Sequence, residues 1–230
     1  MKIGIKMDIK KISENKDAKK SRSLRPVRAF HDLYTSSNLA LEEVYTFNVS
    51  QSTKETLLKN HIINLVTAIE IYYKDMLDAI FRLCKPSSYE SKLKKIHDKN
   101  YRINDIVNLY NNRIHPLELI VSSQSFQSIE TIDKVFSTLL EKSFLTEIQQ
   151  IKWKFNLEDK KEFSISNHEI KIVKELFKER HQLIHNPRMQ YSFTKEEIEV
   201  KDVAIFGLIM ASDLIFIQFI NKNTKDSTKK

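Results

Sequence analysis

Lys178-Glu179-Arg180-His181-Gln182-Leu183-Ile184-His185-Asn186-Pro187 closes an amphipathic run that opens near His168. Ile170, Val173, Leu176, Phe177, Leu183 and Ile184 recur at helical spacing, so the run reads as a helix with one core-facing side. Pro187 disfavours helical geometry at Asn186, and the helix is expected to stop at about His185. At roughly 100° per residue, Arg180 projects into the middle of the apolar face. His181 and His185 lie along one edge, a turn apart. A guanidinium in a core-facing stripe is costly unless it is paired or used.

The same periodicity runs outward in both directions. The chain has 230 residues with only two Gly and four Pro, which leaves little material for hairpins. It is expected to be all-α, a single helical bundle with a long early helix and an apolar C-terminal helix. From Pro26, residues Phe30, Leu33, Tyr34, Leu41, Val44, Tyr45 and Phe47 predict a first helix, interrupted near Ser36-Ser37. Ser50 offers an N-cap for a long second helix, roughly 53–84. There Glu70 projects onto the shoulder of the apolar arc, beside Val66, Leu77 and Phe81, and Tyr72-Tyr73 reads as core. Pro86 breaks that helix, and 89–99 reads as a short exposed segment. Asn104 should cap a brief helix to Tyr110, and Ser125 another to about Leu140. Phe144 to Trp153 continues as a short helix, and 154–167 reads as a loop.

The last helix is expected from about Lys195 or Asp202 to Ile220. Its apolar part, Val203 to Ile220, is interrupted only by Ser212, Asp213 and Gln218. Membrane spans need about 20 residues, and a mid-span Asp costs about 2.5–3.5 kcal/mol. A buried core or dimer-interface helix is therefore expected, with no membrane partner.

Net charge is +8, but it is unevenly spread. Residues 1–28 hold ten Lys/Arg against three Asp/Glu, and 221–230 hold four Lys against one Asp; the stretch between carries −2. The chain thus divides into a basic, flexible segment at 1–25, a helical domain at 26–220 and a basic tail at 221–230. The ends read as solvated chain, or as a loose, salt-sensitive hold on a polyanion. One cysteine, Cys84, sits in an apolar run, and no apolar leader follows Met1, which together fit a reducing, cytoplasmic setting. No Walker loop, dinucleotide fingerprint or nucleophile elbow occurs, and no cofactor is expected. His181 and His185 at i, i+4 lack the Glu and Cys companions of a metal site. His31, His61, His97, His115 and His168 show no partner pattern.

The residue types at the motif suit RNA cleavage without a metal. The 2′-hydroxyl must lose a proton, the 5′-oxygen must gain one, and charge on phosphorus must be stabilised. His exchanges protons near neutral pH, and Arg grips two phosphate oxygens without titrating. One Arg and one His per chain are thin for two transfers, so a two-fold homodimer is expected to join two copies of the motif.

Arg180-His181-Gln182-Leu183-Ile184-His185 resembles the signature of the HEPN superfamily: Arg, four to six residues of which the first is polar, then His. The order of helices over roughly 30–220 resembles the stand-alone prokaryotic members of the RiboL-PSP or MAE type, and Thr67 to Asp75 is similar to their early acidic segment. The resemblance implies a metal-independent endoribonuclease acting on RNA, of the kind used in toxin–antitoxin and anti-phage systems, with a neutralising antitoxin or defence partner. It implies that Arg180 and His185 are catalytic, that His181 supports them and that Glu70 orients Arg180. Pro187 stands where toxins silenced by adenylylation carry Tyr, so that regulation is not implied. A catalytically silent bundle binding a nucleotide or a partner protein, and a purely structural Glu70–Arg180 pair, are the alternatives.

Overall fold

The structure, a computed structural model, describes residues 8–20, 25–154, 162–186, 188–191 and 193–224. Along these the chain forms α1 (Ile9–Lys20), α2 (Pro26–Thr46), α3 (Gln51–Leu83), two 3-10 turns (Pro86–Ser88 and Glu90–Lys92), α4 (Leu93–Ile96), α5 (Ile103–Asn111), α6 (Pro116–Ser123), α7 (Ile129–Leu140), α8 (Phe144–Gln150), α9 (Asn167–His185) and α10 (Lys195–Asn223). The fold is all-α. Among the described residues extended pairing is confined to two isolated bridges, Cys84–Thr224 and Trp153–Phe163.

The 33-residue α3 is the axis of the bundle. The Ser50 hydroxyl accepts from the Thr53 backbone N–H at 3.2 Å, starting the helix where its sequence predicts. Its apolar residues occupy more than one face, so α2, α9 and α10 all pack against it. At its middle, Tyr73 enters an aromatic layer with Phe136, Phe144 and Phe216, whose ring centroids stand 4.6–6.4 Å apart. Burying each such ring stabilises the fold by about 1.5–3 kcal/mol. The Tyr73 hydroxyl donates to Ser212 Oγ at 2.8 Å, and Ser212 passes its own proton to the Leu208 carbonyl at 2.7 Å, so no polar atom of the pair is stranded.

A buried polar row ties three helices together. Ser37 Oγ lies 2.8 Å from His61 Nδ1, and His61 Nε2 lies 3.2 Å from Asp202 Oδ1. A neutral imidazole donating to the carboxylate accepts from the hydroxyl at its other nitrogen. Ser37 sits mid-helix, where backbone N–H groups are committed to the ladder and cannot receive an oxyanion. The row is a clamp between α2, α3 and α10. It also explains why α2 runs unbroken through the expected interruption: Ser36 Oγ donates to the Asp32 carbonyl at 2.8 Å and Ser37 is held by His61, so neither hydroxyl competes with the helix.

Other expectations are corrected. Within the flexible segment expected at 1–25, residues 9–20 form α1, which seats Ile12 against Leu109, Ile114 and Leu119 of a small separate core. Lys16 Nζ donates to the Arg113 carbonyl at 2.6 Å, and Lys19 Nζ reaches Asp78 Oδ1 at 3.1 Å. Ser128, not Ser125, caps α7, its hydroxyl accepting from Thr131 N–H at 3.2 Å. At α5 the Asp105 carboxylate accepts from the Arg102 N–H at 2.9 Å, so Asn104 lies inside the helix rather than before it. The 89–99 segment folds into short turns that bury Tyr89. Residues 155–161 of the expected loop, the tail beyond 224 and Pro187 lie outside the described residues, while α9 ends at His185, where the sequence puts its stop. By length and composition α10 could cross a membrane; in this fold it lays Ile205, Leu208, Ile209 and Phe216 in the core.

Candidate active site

α9 carries the motif, and its ends explain its length. Ser166 caps it, accepting from the His168 N–H at 3.1 Å, while the Glu169 carboxylate accepts from the Ser166 N–H at 2.8 Å. At the other end the Asn186 N–H donates to the Gln182 carbonyl at 2.8 Å, and the Met189 N–H to the Asn186 carbonyl at 3.0 Å, turning the chain away just after His185. Val173, Leu176, Phe177 and Leu183 are buried between α3 and α10. Ile184, expected on the same face, is 43% exposed.

Arg180 stands on the boundary of that buried face and is half-buried. Its Nε is enclosed with no hydrogen-bond partner, and no ion pair reaches it among the described residues. A buried donor left unmade costs about 1–3 kcal/mol. Glu70 supplies no partner, contrary to the expected orienting role. The Glu70 carboxylate accepts from Lys74 Nζ at 2.9 Å, one turn along its own helix, and from Gln127 Nε2 at 3.3 Å. Projection puts Glu70 at the edge of α3's apolar arc, but that edge faces the start of α7 rather than Arg180.

His181 and His185 are brought together. Their ring centroids are 4.3 Å apart at 56°, and both side chains are exposed. At about 100° per residue, Lys174, Lys178, His181 and His185 fall within one narrow stripe of α9, and all four are exposed. The stripe borders a groove of about 390 Å³ between α9 and the start of α7, lined by Gln127, Ser128, Glu130, Lys174, Phe177, Lys178, His181 and Gln182. Lys174 is paired with Glu130, whose carboxyl is held below its usual range chiefly by the Lys174 hydrogen bond. Gln127 joins the Glu70 carboxylate to this groove. The site therefore offers two touching imidazoles, a row of cations and, around the corner of the helix, a guanidinium with an idle donor.

Sequence reading missed the residues that fix the site's far side. Lys201 Nζ donates to both Glu179 oxygens at 2.7 and 2.9 Å, and the Tyr191 hydroxyl donates to Glu179 Oε2 at 2.8 Å. Lys201 Nζ also stands 4.6 Å from the centroid of the Phe193 ring. Burial, then the bond to Glu179, push the Tyr191 hydroxyl well above its ordinary range, so it remains a donor. The network anchors the connection between α9 and α10. Its one signal in the sequence is a Lys placed three residues after Ile198 and four before Ile205, inside an apolar face.

No family model, curated protein or solved structure matches the chain.

Proposed function

We propose that this chain is an endoribonuclease of the HEPN type, cutting RNA by attack of a 2′-hydroxyl on the adjacent phosphorus. One imidazole of the His181–His185 group takes the 2′-hydroxyl proton as the P–O2′ bond forms. A second donates a proton to the departing 5′-oxygen as the P–O5′ bond breaks. The products are a 2′,3′-cyclic phosphate and a 5′-hydroxyl. Arg180 holds the non-bridging oxygens, where charge builds up, and Lys178 and Lys174 line the approach of the strand. Reaction needs no metal. The His181–His185 pair on the exposed cationic stripe of α9, with Arg180 around the corner of the same helix, is the observation that carries this reading. A second copy of the chain, covering the exposed Ile184 next to His185, completes a composite site. In a cell such an activity fits a toxin or anti-phage effector held in check by a partner.

The test is purified protein on labelled RNA in EDTA, comparing wild type with His185→Ala and Arg180→Ala. Both variants should melt like wild type and lose cleavage by at least about 100-fold, the scale of one acid–base or one electrostatic group. Products ending in 3′-hydroxyl, or full activity in His185→Ala, would overturn the mechanism. RNA binding without cleavage in wild type would leave the chain a silent binding module.

A further inference from the structure

α5 turns an apolar stripe away from the protein. Ile103, Ile106, Val107 and Tyr110 recur at i, i+3, i+4 and i+7 and are between 47 and 82% exposed. That spacing is how a helix covers a core, yet these four side chains cover none. Within α5 only Leu109 is buried, against Ile12, Ile114 and Leu119 of the small core. At about 100° per residue, Leu109 falls about 60° to one side of the stripe, with Asn104, Asn108 and Asn111 on the other. Single exposed apolar residues are ordinary. Four on one stripe of two turns mark an interaction surface.

The helix holds its shape without a partner. Its start is fixed by the Asp105 carboxylate at the Arg102 N–H. At its end Asn112 Nδ2 donates to the Asn108 carbonyl at 2.8 Å, and the Ile114 N–H to the Leu109 carbonyl at 2.9 Å. The stripe is therefore formed before anything touches it, and docking on it orders no new backbone.

Charge selects the occupant. Residues 29–220 together carry −2, but 93–113 hold Lys94, Lys95, Lys99, Arg102 and Arg113 against Asp98 and Asp105, or +3. All five cations are exposed, and none has an ion pair among the described residues. A second copy fits this surface poorly. A two-fold pairing of α5 stripes sets Arg against Arg at both ends, and four side chains fall far short of the roughly 20–30 residues a side of a stable interface. RNA would meet the cations, but Ile103, Ile106 and Val107 offer its bases neither a ring to stack on nor a hydrogen bond. An anionic bilayer uses both features. Its phosphates take the cations, its acyl boundary takes the aliphatic chains, and Tyr110 suits the level between them. We infer that α5 docks the protein on the surface of an anionic lipid bilayer, lying in the headgroup plane while α10 stays in the core. This inference is independent of the ribonuclease reading.

The test is co-sedimentation of the full chain with vesicles, of phosphatidylcholine alone or with about one-third phosphatidylglycerol. Wild type should pellet with the anionic vesicles and stay free of the neutral ones. Ile103→Gln/Ile106→Gln alters two exposed side chains, so it should melt like wild type, yet weaken binding by at least about tenfold. Arg102→Gln should weaken it several-fold. Leu39→Gln, at an exposed apolar residue of α2, should change nothing. No binding to anionic vesicles, or equal binding to neutral ones, would overturn the inference. So would a double variant that binds anionic vesicles as wild type does, which would place the attraction in the basic ends of the chain. A double variant that instead loses RNA binding, or turns a dimer into a monomer, would assign the stripe to RNA or to a second copy, and either result refutes the lipid assignment.

Discussion

Glu179→Ala should unfasten the connection between α9 and α10. The carboxylate takes three hydrogen bonds, two from Lys201 and one from Tyr191, and both donors are buried. Removing it strands an ammonium and a phenol. Breaking one side of a buried ion pair costs about 3–5 kcal/mol. Here the side chains retain 11% and 22% exposure. The Phe193 ring also remains under the ammonium, worth about 0.5–1 kcal/mol. The low end, about 3 kcal/mol, is therefore expected. In a chain of this size each kcal/mol moves the melting temperature by about 2–4 °C, so the fall should be about 6–12 °C. Circular dichroism melts at pH 7 would measure it beside a Glu179→Met/Lys201→Met double variant, which leaves no charge unpaired and should recover most of the loss. A Glu179→Ala melt within about 2 °C of wild type, or a double variant no better than the single, would refute the assignment of the pair as a fastening.

Asp213 offers a test with the opposite sign. Burial raises its carboxyl above the ordinary value of 3.8, although the Tyr72 hydroxyl, donating at 3.4 Å, works against the rise. A group with a raised folded pKa favours the fold below the unfolded value and opposes it as pH climbs through the folded one. Asp213→Asn should therefore raise the melting temperature at pH 7, with the gain fading as pH falls below 3.8; a gain that persists in acid would contradict the cause given. At the polar clamp, His61→Ala takes the imidazole donor from the buried Asp202 carboxylate and should cost about 1.5–3 kcal/mol. Ser37→Ala removes one neutral hydrogen bond and should cost about 1 kcal/mol. Denaturant melts giving the reverse order would mean that Asp202 is compensated elsewhere.

Periodicity was enough to read α3, α9 and α10 from the sequence, because each buries a long stripe and carries its own start signal, such as Ser50 before α3. The pairing of the motif histidines was legible for the same reason: i, i+4 spacing brings side chains together whatever the helix packs against. Partners drawn from different helices were not. Ser37, His61 and Asp202 are separated by 24 and 141 residues, and no local pattern announces such a row. Glu70 shows the limit most clearly. A helical wheel gives its angle on α3, but only the packing of α7 decides that Gln127 and not Arg180 faces it. α1 was missed because only Ile12, with the partly buried Ile9, seats it against the small core, and two apolar positions make no period.

That seating has a kinetic consequence. A 12-residue helix is marginal alone in water, and ordering it opposes docking by about 1–2 kcal/mol per residue of backbone. Against this stand, among the described contacts, one buried isoleucine, the partly buried Ile9 and lysine ties that remain partly open to solvent. α1 should therefore leave and rejoin the bundle far more often than the whole chain unfolds, and its amides should exchange with solvent long before those of α3. Lys16 and Lys19 are tied to Arg113, Glu118 and Asp78 while docked and are released when it lifts. Any polyanion that engages them shifts the arm toward its free state by mass action, and added salt, by screening the same ties, does so as well.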